Sequence, residues 1–378
     1  MLQTQLTDPN QPHCTIVGGG ITGLTAALAL QSQGMAVTVV DKGQGIGGRL
    51  ASRRLRWEPD PQVIGIADYG ALQFQVTDRR FQTQVDRWVE QGLLRSDAGL
   101  DSAAAESPRV YTGTASLRSF TQALSQGLTL HLKTRVTQLH WEASTQRWTL
   151  SALNTSHTGS DTAASTVTLP WQSTHLVLTC PVPQTLELLD QSGIPILPAQ
   201  RQPLQSVHYH PCLTALLLLR NPSQIPPRGL LAGRDPQLPP ELQTLRCHYR
   251  SGISPQGYAV TLQASPAFSQ QHWDQDDRSI FETLISLASP WLGLPDSVDP
   301  ALNSPVLTQQ LHRWRYSQPA QPYAQSDRPC CVLRPNLLLG GDAFATIDSP
   351  TVSPHLSVQQ GFLSGLSIAE TIGIGIRE

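Results

Sequence analysis

Three glycines and one acid near the start of the chain have the types and spacing needed to hold a dinucleotide. Gly18, Gly20 and Gly23 follow the order Gly-x-Gly-x-x-Gly, and Asp41 lies 23 positions after Gly18. A glycine turn lets the backbone approach a pyrophosphate, and the helix that follows offers N–H groups and a partial positive charge. The carboxylate can accept hydrogen bonds from both hydroxyls of a ribose. It also repels a 2′-phosphate, so the tightly held dinucleotide should not be NADP.

The elements that must position these residues follow from the surrounding sequence. Apolar residues 15–17 predict a strand, the Ala-rich run 24–33 predicts a helix that Gly34 ends, and residues 36–40 predict a second strand. Strand, glycine turn, helix, strand and acid together are typical of a dinucleotide-binding βαβ unit. Ile21 and Thr22, at the start of the helix, join the three glycines as predicted cofactor contacts.

A second glycine-rich loop follows Asp41 directly. It runs from Lys42 through Gly48 to Arg49, and its glycines allow close approach to a cofactor while Arg49 can pair with a pyrophosphate charge. The fingerprint alone leaves NAD and FAD open, but an ordinary NAD domain does not need this second contact.

The length, net charge, apolar runs and cysteine spacing of the chain exclude several classes of function. With 378 residues and a net charge of −2, two or three domains are possible and a basic nucleic-acid surface is not expected. The apolar run 215–219 is too short to span a bilayer, and the polar first 13 residues do not resemble a secretory signal. Six scattered cysteines show no metal-ligand spacing. We therefore expect a cytoplasmic protein without a metal site or a membrane span, of open oligomeric state.

Periodicity and turn residues predict the remaining elements. Helices are expected at 78–93, at 116–126 with Thr114 as the cap, at 277–288 and at 357–372. A β-meander is expected over 139–171, and loops are expected at 53–66 and in the proline-dense run 195–203. Strands are expected at 128–139, 175–180, 213–219, 245–249, 258–263, 306–316 and 332–341.

These elements predict an α/β chain (α+β overall) with two domains. Residues 1–75, 110–189 and 330–378 would form a discontinuous Rossmann-type domain with a β-meander. Residues 76–109 and 190–329 would form a substrate domain around a mostly antiparallel sheet with helices.

Several segments resemble the renalase-like branch of the flavin amine oxidases, within the glutathione-reductase-like flavoproteins. They include DKGQGIGGRLASRR at 41–54, HWD at 272–274 and HRWRYSQP at 312–319. The resemblance implies non-covalent FAD and a hydride transfer from misplaced-hydride isomers of NAD(P)H to flavin N5, with oxygen reduced to hydrogen peroxide. A nicotinamide nucleotide would then be a small-molecule substrate, because the sequence has no second Gly-x-Gly-x-x-Gly in a βαβ setting.

The same resemblance implies further cofactor contacts. They are Gly70 and Ala71 near the flavin ring, Val136 near the adenine, and Gly341 and Asp342 near the ribityl chain or pyrophosphate. The sequence departs from the family at two places. Leu72 and Gln73 replace an expected Gln and aromatic residue, and the segment 343–356 is longer than expected.

Catalytic candidates come from residues that could orient a nicotinamide beside N5. Trp314 and Tyr316 share one face of a predicted strand while Arg315 lies on the other. His248 is a candidate acid, base or amide partner, as are three further histidines, His208, His210 and His272.

Three hypotheses remain open. The first is a flavin oxidase of dihydronicotinamide isomers, and the second is a flavin oxidase or desaturase of an amine or apolar substrate. Amine oxidases of the related branch commonly keep a lysine near N5, whereas both lysines here, Lys42 and Lys133, fall in or beside cofactor segments. The third is a binding protein without activity, which the intact Asp41 and the Gly48-Arg49 loop argue against.

Overall fold

The opening segment folds into the βαβ unit that the glycine pattern predicts. It consists of β1 (His13–Val17), α1 (Ile21–Ser32) and β2 (Ala36–Val40) in a computed structural model. β1 and β2 pair in parallel, with Cys14 beside Val37 and Val17 beside Val40. Every residue of β1 is buried, as expected for a strand inside a parallel sheet.

The structure describes residues 12–97, 109–155, 166–232, 235–294, 304–325, 327–346 and 356–375. Further strands are β3 (Ser52–Trp57), β4 (Asp60–Asp68), β5 (Phe74–Val76), β6 (Leu94–Ser96), β7 (Arg109–Gly113), β8 (Thr129–His131), β9 (Thr134–Glu142), β10 (Arg147–Asn154), β11 (Val167–Thr168), β12 (His175–Leu178), β13 (His208–Leu219), β14 (Leu230–Ala232), β15 (Leu242–Cys247), β16 (Tyr258–Ala264), β17 (Val306–Gln321), β18 (Cys331–Arg334) and β19 (Leu337–Leu339). Further helices are α2 (Arg79–Glu90), α3 (Leu117–Leu124), α4 (Val182–Gln191), α5 (Pro198–Gln205), α6 (Pro266–Gln271), α7 (Asp277–Leu292) and α8 (Ser357–Gly375).

The first sheet carries the opening unit at its centre. Its strand order is β18-β19-β12-β1-β2-β8, and all neighbours pair in parallel except β18 with β19. The predicted β-meander is present as the antiparallel sheet β11-β10-β9. Part of the polar insertion expected inside it, residues 156–165, lies outside the described residues.

The second large sheet has the order β14-β15-β16-β13-β17, and β14 with β15, β15 with β16, and β16 with β13 pair antiparallel. Its two faces carry different cores because residues alternate along each strand. Leu217 and Val260 pack on one face with the α7 residues Ile280 and Leu284. Leu218 and Ala259 pack on the other face with Leu55 and Ala67 of the β3–β4 hairpin. The predicted mostly antiparallel second sheet with helices is therefore observed.

The chain groups into two compact units. The first contains residues 1–48, 124–208 and 320–378, and the second contains residues 49–123 and 209–319. Compared with the predicted boundaries, residues 49–75 and 110–123 group with the second unit, and residues 190–208 and 320–329 group with the first. The hairpin explains part of the first difference, because β3 and β4 pair with each other over the second sheet's core.

Several predicted elements were wrong in detail. The basic run after Arg49 lies in strand β3, not in a loop, and the proline-dense segment 195–203 contains helix α5. α5 begins at Pro198, where the missing N–H costs nothing. The expected strand 128–139 is interrupted at Lys133, which has φ +54°. The expected strand 332–341 is a hairpin of β18 and β19.

The cap of α3 is also corrected. Ser116, and not Thr114, supplies a hydroxyl that accepts the Ser119 N–H at 3.0 Å. Most of the long segment 343–356 cannot be compared with its prediction, because residues 347–355 lie outside the described residues. Within the described ranges, no helix combines the length and apolarity needed to cross a membrane.

Candidate functional site

The glycine turn after β1 is built for close approach. Gly18 has φ +115°, a conformation that favours glycine, and a Cβ there would lie 2.4 Å from Thr179 Oγ1. The Thr179 hydroxyl donates to the Gly18 carbonyl at 3.0 Å. A Cβ on Gly23 would lie 2.0 Å from that same carbonyl oxygen. The first and third glycines therefore let α1 begin directly against the turn.

The start of α1 fits the pyrophosphate of a dinucleotide. Its N-cap is Gly20, which provides no side-chain cap, so the N–H groups of the first turn are not covered by a capping side chain. A Cβ on Gly20 would meet no described atom within 4 Å. The space beside Gly20, at the start of the helix, is therefore open, as an anion at a helix N-terminus requires.

Asp41 is held in place by backbone amides. Its Oδ2 accepts the Gly19 N–H at 2.6 Å, and its Oδ1 accepts the Gly43 N–H at 2.6 Å. Each carboxylate oxygen has a second lone pair, so the group can still accept from ribose hydroxyls. Thr134 N–H donates to the Asp41 carbonyl at 2.9 Å. This hydrogen bond places the start of β9, the strand that contains Val136, beside Asp41.

The second glycine loop packs on the first. Gly47 N–H donates to the Gly19 carbonyl at 2.8 Å, and a Cβ on Gly19 would lie 2.1 Å from Ile46 Cδ1. Gly48 has φ +56°, and a Cβ there would lie 3.4 Å from the Gly20 Cα. The exposed Lys42 Nζ donates to Gln184 Oε1 at 3.4 Å. The structure thus brings Gly47 and Gly48 of the second loop against Gly19 and Gly20 of the first.

The turn after β19 lies against the same helix start. A Cβ on Gly340 would lie 3.4 Å from Thr22 Cγ2, and Gly341, with φ +152°, donates its N–H to Ser364 Oγ of α8 at 3.0 Å. Asp342 is buried in this turn. The predicted contacts Gly341 and Asp342 are therefore close to Thr22.

Small residues allow α8 to pack tightly on α1. A Cβ on Gly361 would lie 2.8 Å from Ile21 Cγ2, and one on Gly365 would lie 2.5 Å from the Thr22 carbonyl oxygen. The amino-terminal part of α8 is therefore fixed beside the amino-terminal turn of α1. Two helix starts side by side concentrate positive potential, which suits an anionic cofactor.

In the second unit, three successive backbone carbonyls are each tied to a different side chain. Thr261 Oγ1 donates to the Asp68 carbonyl at 2.8 Å, Trp314 Nε1 to the Tyr69 carbonyl at 2.9 Å, and Gln263 Nε2 to the Gly70 carbonyl at 2.7 Å. The segment 68–71 is thereby fixed against β16 and β17 by side chains of those two strands.

Arg49 completes the support of this segment. Its carbonyl accepts the Ala71 N–H at 2.9 Å, and its Nη1 donates to the Ser317 carbonyl at 2.8 Å. A Cβ on Gly70 would lie 2.0 Å from the Arg49 carbonyl oxygen, so only glycine fits there. The predicted residues Arg49, Gly70 and Ala71 therefore lie together in the second unit.

The three predicted catalytic residues have different surroundings. Trp314 stacks on Tyr69 with ring centroids 5.3 Å apart. Tyr316 meets Tyr209 edge to face at 5.5 Å. His248 is fully buried, and its Nε2 lies 2.8 Å from Thr261 Oγ1. Burial lowers the pKa of His248 to about 3, so the imidazole is neutral at ordinary pH.

The arginines of the HRWRYSQP segment point away from Trp314. Arg313 Nε donates to the Trp273 carbonyl at 3.2 Å and its Nη1 pairs with Asp277 at 2.6 Å. The Arg315 guanidinium lies over the Trp273 ring at 5.8 Å. The two distinctive segments therefore touch each other on the α7 side of the sheet, and Arg315 lies opposite Trp314 as the alternation predicts.

Sequence reasoning did not single out Thr261, Gln263 or Asp68. Asp68 is fully buried, accepts from Ser52 Oγ and from the Leu117 N–H at 3.3 Å, and has its pKa raised by burial to about 7. Thr261 and Gln263 alternate with apolar Val260 and Leu262 in a buried strand. Polar residues recurring at every second position of such a strand were the signal available.

Comparisons with known proteins agree with this geometry. Residues 16–88 match the family model of the NAD(P)-binding Rossmann-like domain, and residues 91–372 match that of the flavin containing amine oxidoreductases. A 4,4'-diapophytoene desaturase (4,4'-diaponeurosporene-forming) of Staphylococcus haemolyticus is 31% identical over 74 residues, which are 19% of this chain and only 15% of that protein.

A solved structure shares the fold. It is that of a protein from Exiguobacterium sp. 255-15 designated a protoporphyrinogen oxidase, with a TM-score of 0.63 and 13% identity over 96% of this chain and 99% of that one. The second family model alone spans well over half of the chain. The chain therefore belongs to the flavin containing amine oxidoreductase family, and it binds FAD non-covalently.

Proposed function

We propose that this protein is a flavin oxidase of dihydronicotinamide isomers. FAD supplies the hydride acceptor when bound. A dihydronicotinamide, dioxygen and one proton would give a nicotinamide cation and hydrogen peroxide. In this proposal Gly18, Gly20, Gly23, Asp41 and Gly48 hold the cofactor's adenosine and pyrophosphate.

The observation that carries the proposal is the aromatic surface around Trp314. Tyr69 and Trp314 stack, and His312 meets the Trp314 ring at 4.3 Å. Tyr69 is buried and Trp314 and His312 are half-buried, so a planar conjugated ring such as nicotinamide would meet Trp314 and His312. Both belong to the HRWRYSQP segment on which the resemblance rests. The chain's task is to orient the donor carbon, because hydride transfer needs no nucleophile from the protein.

The positions of the two lysines support this proposal over an amine oxidase. Lys42 lies beside the ribose acid Asp41, and Lys133 donates its backbone N–H to the Gly43 carbonyl at 2.9 Å. Both belong to the first unit, and the second unit contains no lysine in its sequence. The related amine oxidases usually have a lysine beside the flavin ring. Neither Lys42 nor Lys133 is expected at that position, because both lie in or beside segments predicted to hold the adenosine part of the cofactor.

A second candidate is an oxidase or desaturase of an amine or apolar substrate. The similarity to a desaturase favours it, although that similarity covers a small part of either protein. Anaerobic stopped-flow reduction of the bound flavin separates the two candidates. We expect rapid bleaching by the 2- and 6-hydride isomers of NADH and none by a panel of amines and polyenes. Bleaching by an amine or polyene alone would reject the first proposal.

A further inference from the structure

Tyr69 is the centre of a packed group of side chains in the second unit. Trp314 stacks on its ring at 5.3 Å and 27°, and His312 meets it edge-on at 5.0 Å. The Arg53 guanidinium carbon lies 5.5 Å from the ring centroid. These contacts hold the four side chains in one arrangement, since each aromatic ring is fixed by two others.

The polar ends of this group have no partner among the residues that the structure describes. Among the described residues, the Tyr69 hydroxyl, the His312 ring nitrogens and the Arg53 guanidinium form no hydrogen bond or ion pair. Their neighbours on the same strands are satisfied, as Trp314 Nε1 and the Arg313 guanidinium show. Arg53 is exposed, and the Tyr69 hydroxyl and the His312 nitrogens are not among the fully buried atoms without a partner, so all three groups reach solvent. They are therefore accessible to a solute.

The charge of the group favours an anion. No described carboxylate lies within ion-pair distance of Arg53, so no residue in the described ranges neutralises its positive charge. Burial and the charge of Arg53 lower the pKa of His312 to about 4, so at neutral pH the imidazole is uncharged and can donate one N–H. A guanidinium, a phenol and an imidazole then offer donors with one net positive charge.

We propose that Arg53, Tyr69 and His312 form an anion-binding subsite for an oxygen-bearing anionic group of the substrate, with Trp314 stacked beneath Tyr69. A guanidinium binds carboxylate and phosphate through paired hydrogen bonds. The inference rests on the proposed function in assigning the anion to the substrate. In a nicotinamide nucleotide the anion is a phosphate, and in another aromatic substrate it could be a ring carboxylate.

Calorimetric titration of the FAD-loaded protein tests the subsite without turnover. The probes are inorganic pyrophosphate for the phosphate source and nicotinate for the carboxylate source. We expect wild type to bind at least one of them, and Arg53→Gln to bind it about 10- to 100-fold more weakly, the effect of losing hydrogen bonds to a charged group. Tyr69→Phe and His312→Asn should each weaken binding less.

Arg54→Gln is the matched control, because Arg54 is the next, equally exposed arginine of β3 and should leave affinity unchanged. Arg53→Lys keeps the charge but loses the paired geometry, so it should fall between Arg53→Gln and wild type. Failure of both probes to bind wild type, or equal binding by wild type and Arg53→Gln, would overturn the subsite. If Arg53→Gln loses affinity but no dihydronicotinamide reduces the flavin, the subsite stands and the proposed function falls.

Discussion

The Thr261 hydroxyl donates to the Asp68 carbonyl at 2.8 Å and lies 2.8 Å from His248 Nε2. Because its single proton is committed to the carbonyl, the hydroxyl must accept from His248, which therefore carries its proton on Nε2. This leaves the buried His248 Nδ1 as an acceptor without a described protein partner. A neutral imidazole in this position suits a supporting role for the segment 68–71 better than proton transfer.

Replacing Thr261 by valine keeps the side-chain volume and removes both hydrogen bonds. We expect a loss of about 1–3 kcal/mol in the free energy of unfolding for each buried group left unpaired, the Asp68 carbonyl and the His248 N–H. Urea denaturation measures this loss. Thr168→Val, at an exposed position of β11, is the control and should change little. Equal stability of the two variants would show that the hydrogen bonds do not support the segment.

Asp68 and His248 should give opposite pH dependences of stability. Burial raises the pKa of Asp68 from 3.8 to about 7, so between these values the folded state holds a proton that the unfolded state has lost, and stability falls as pH rises. Burial lowers the pKa of His248 from 6.5 to about 3, so its contribution rises with pH over that interval. In wild type the two contributions partly cancel.

Single substitutions separate these contributions. Asp68→Asn should make the slope of unfolding free energy against pH more positive between about pH 4.5 and 6.5, and His248→Gln should make it more negative, each by at most about 1.4 kcal/mol per pH unit. Urea unfolding at several pH values gives the slopes. Parallel slopes for wild type and both variants would mean that neither group titrates as its burial predicts.

Gly365 is needed where α8 meets α1. A Cβ there would lie 2.5 Å from the Thr22 carbonyl oxygen, so Gly365→Ala should push the helices apart, cost about 1–3 kcal/mol of stability and weaken FAD binding. Gly373→Ala on the same helix is the matched control, because its Cβ would meet only the flexible end of Gln33. Thermal unfolding with and without FAD distinguishes the two. An equal shift for both variants would contradict the packing argument.

The sequence predicted the parts of the fold that depend on local pattern. The Gly18–Asp41 unit follows from glycine positions and two apolar runs, and α2 follows from the spacing of Phe81, Val85 and Trp88. The helix α5 was missed because Pro198 and Pro203 were taken to exclude a helix, whereas Pro198 begins it and Pro203 lies within it.

The support of the segment 68–71 could not be predicted. Thr261, Gln263 and Trp314 reach it from about 190 to 245 positions away along the chain, so only the tertiary fold brings them together. Arg53 and His312 lie about 260 positions apart, and the sequence did not indicate that both would meet Tyr69. Single positions carry no information about such partners.

FAD affinity of the apoprotein tests the central claim most directly, since the account places the cofactor's ribose on Asp41. Wild type should take up FAD and become yellow, and Asp41→Ala should bind FAD about 10- to 100-fold more weakly, because charge-assisted hydrogen bonds are lost. Asp60→Ala, at the β3–β4 turn, should leave the affinity unchanged. A wild-type protein that takes up no FAD, or an Asp41→Ala variant with wild-type affinity, would contradict the account.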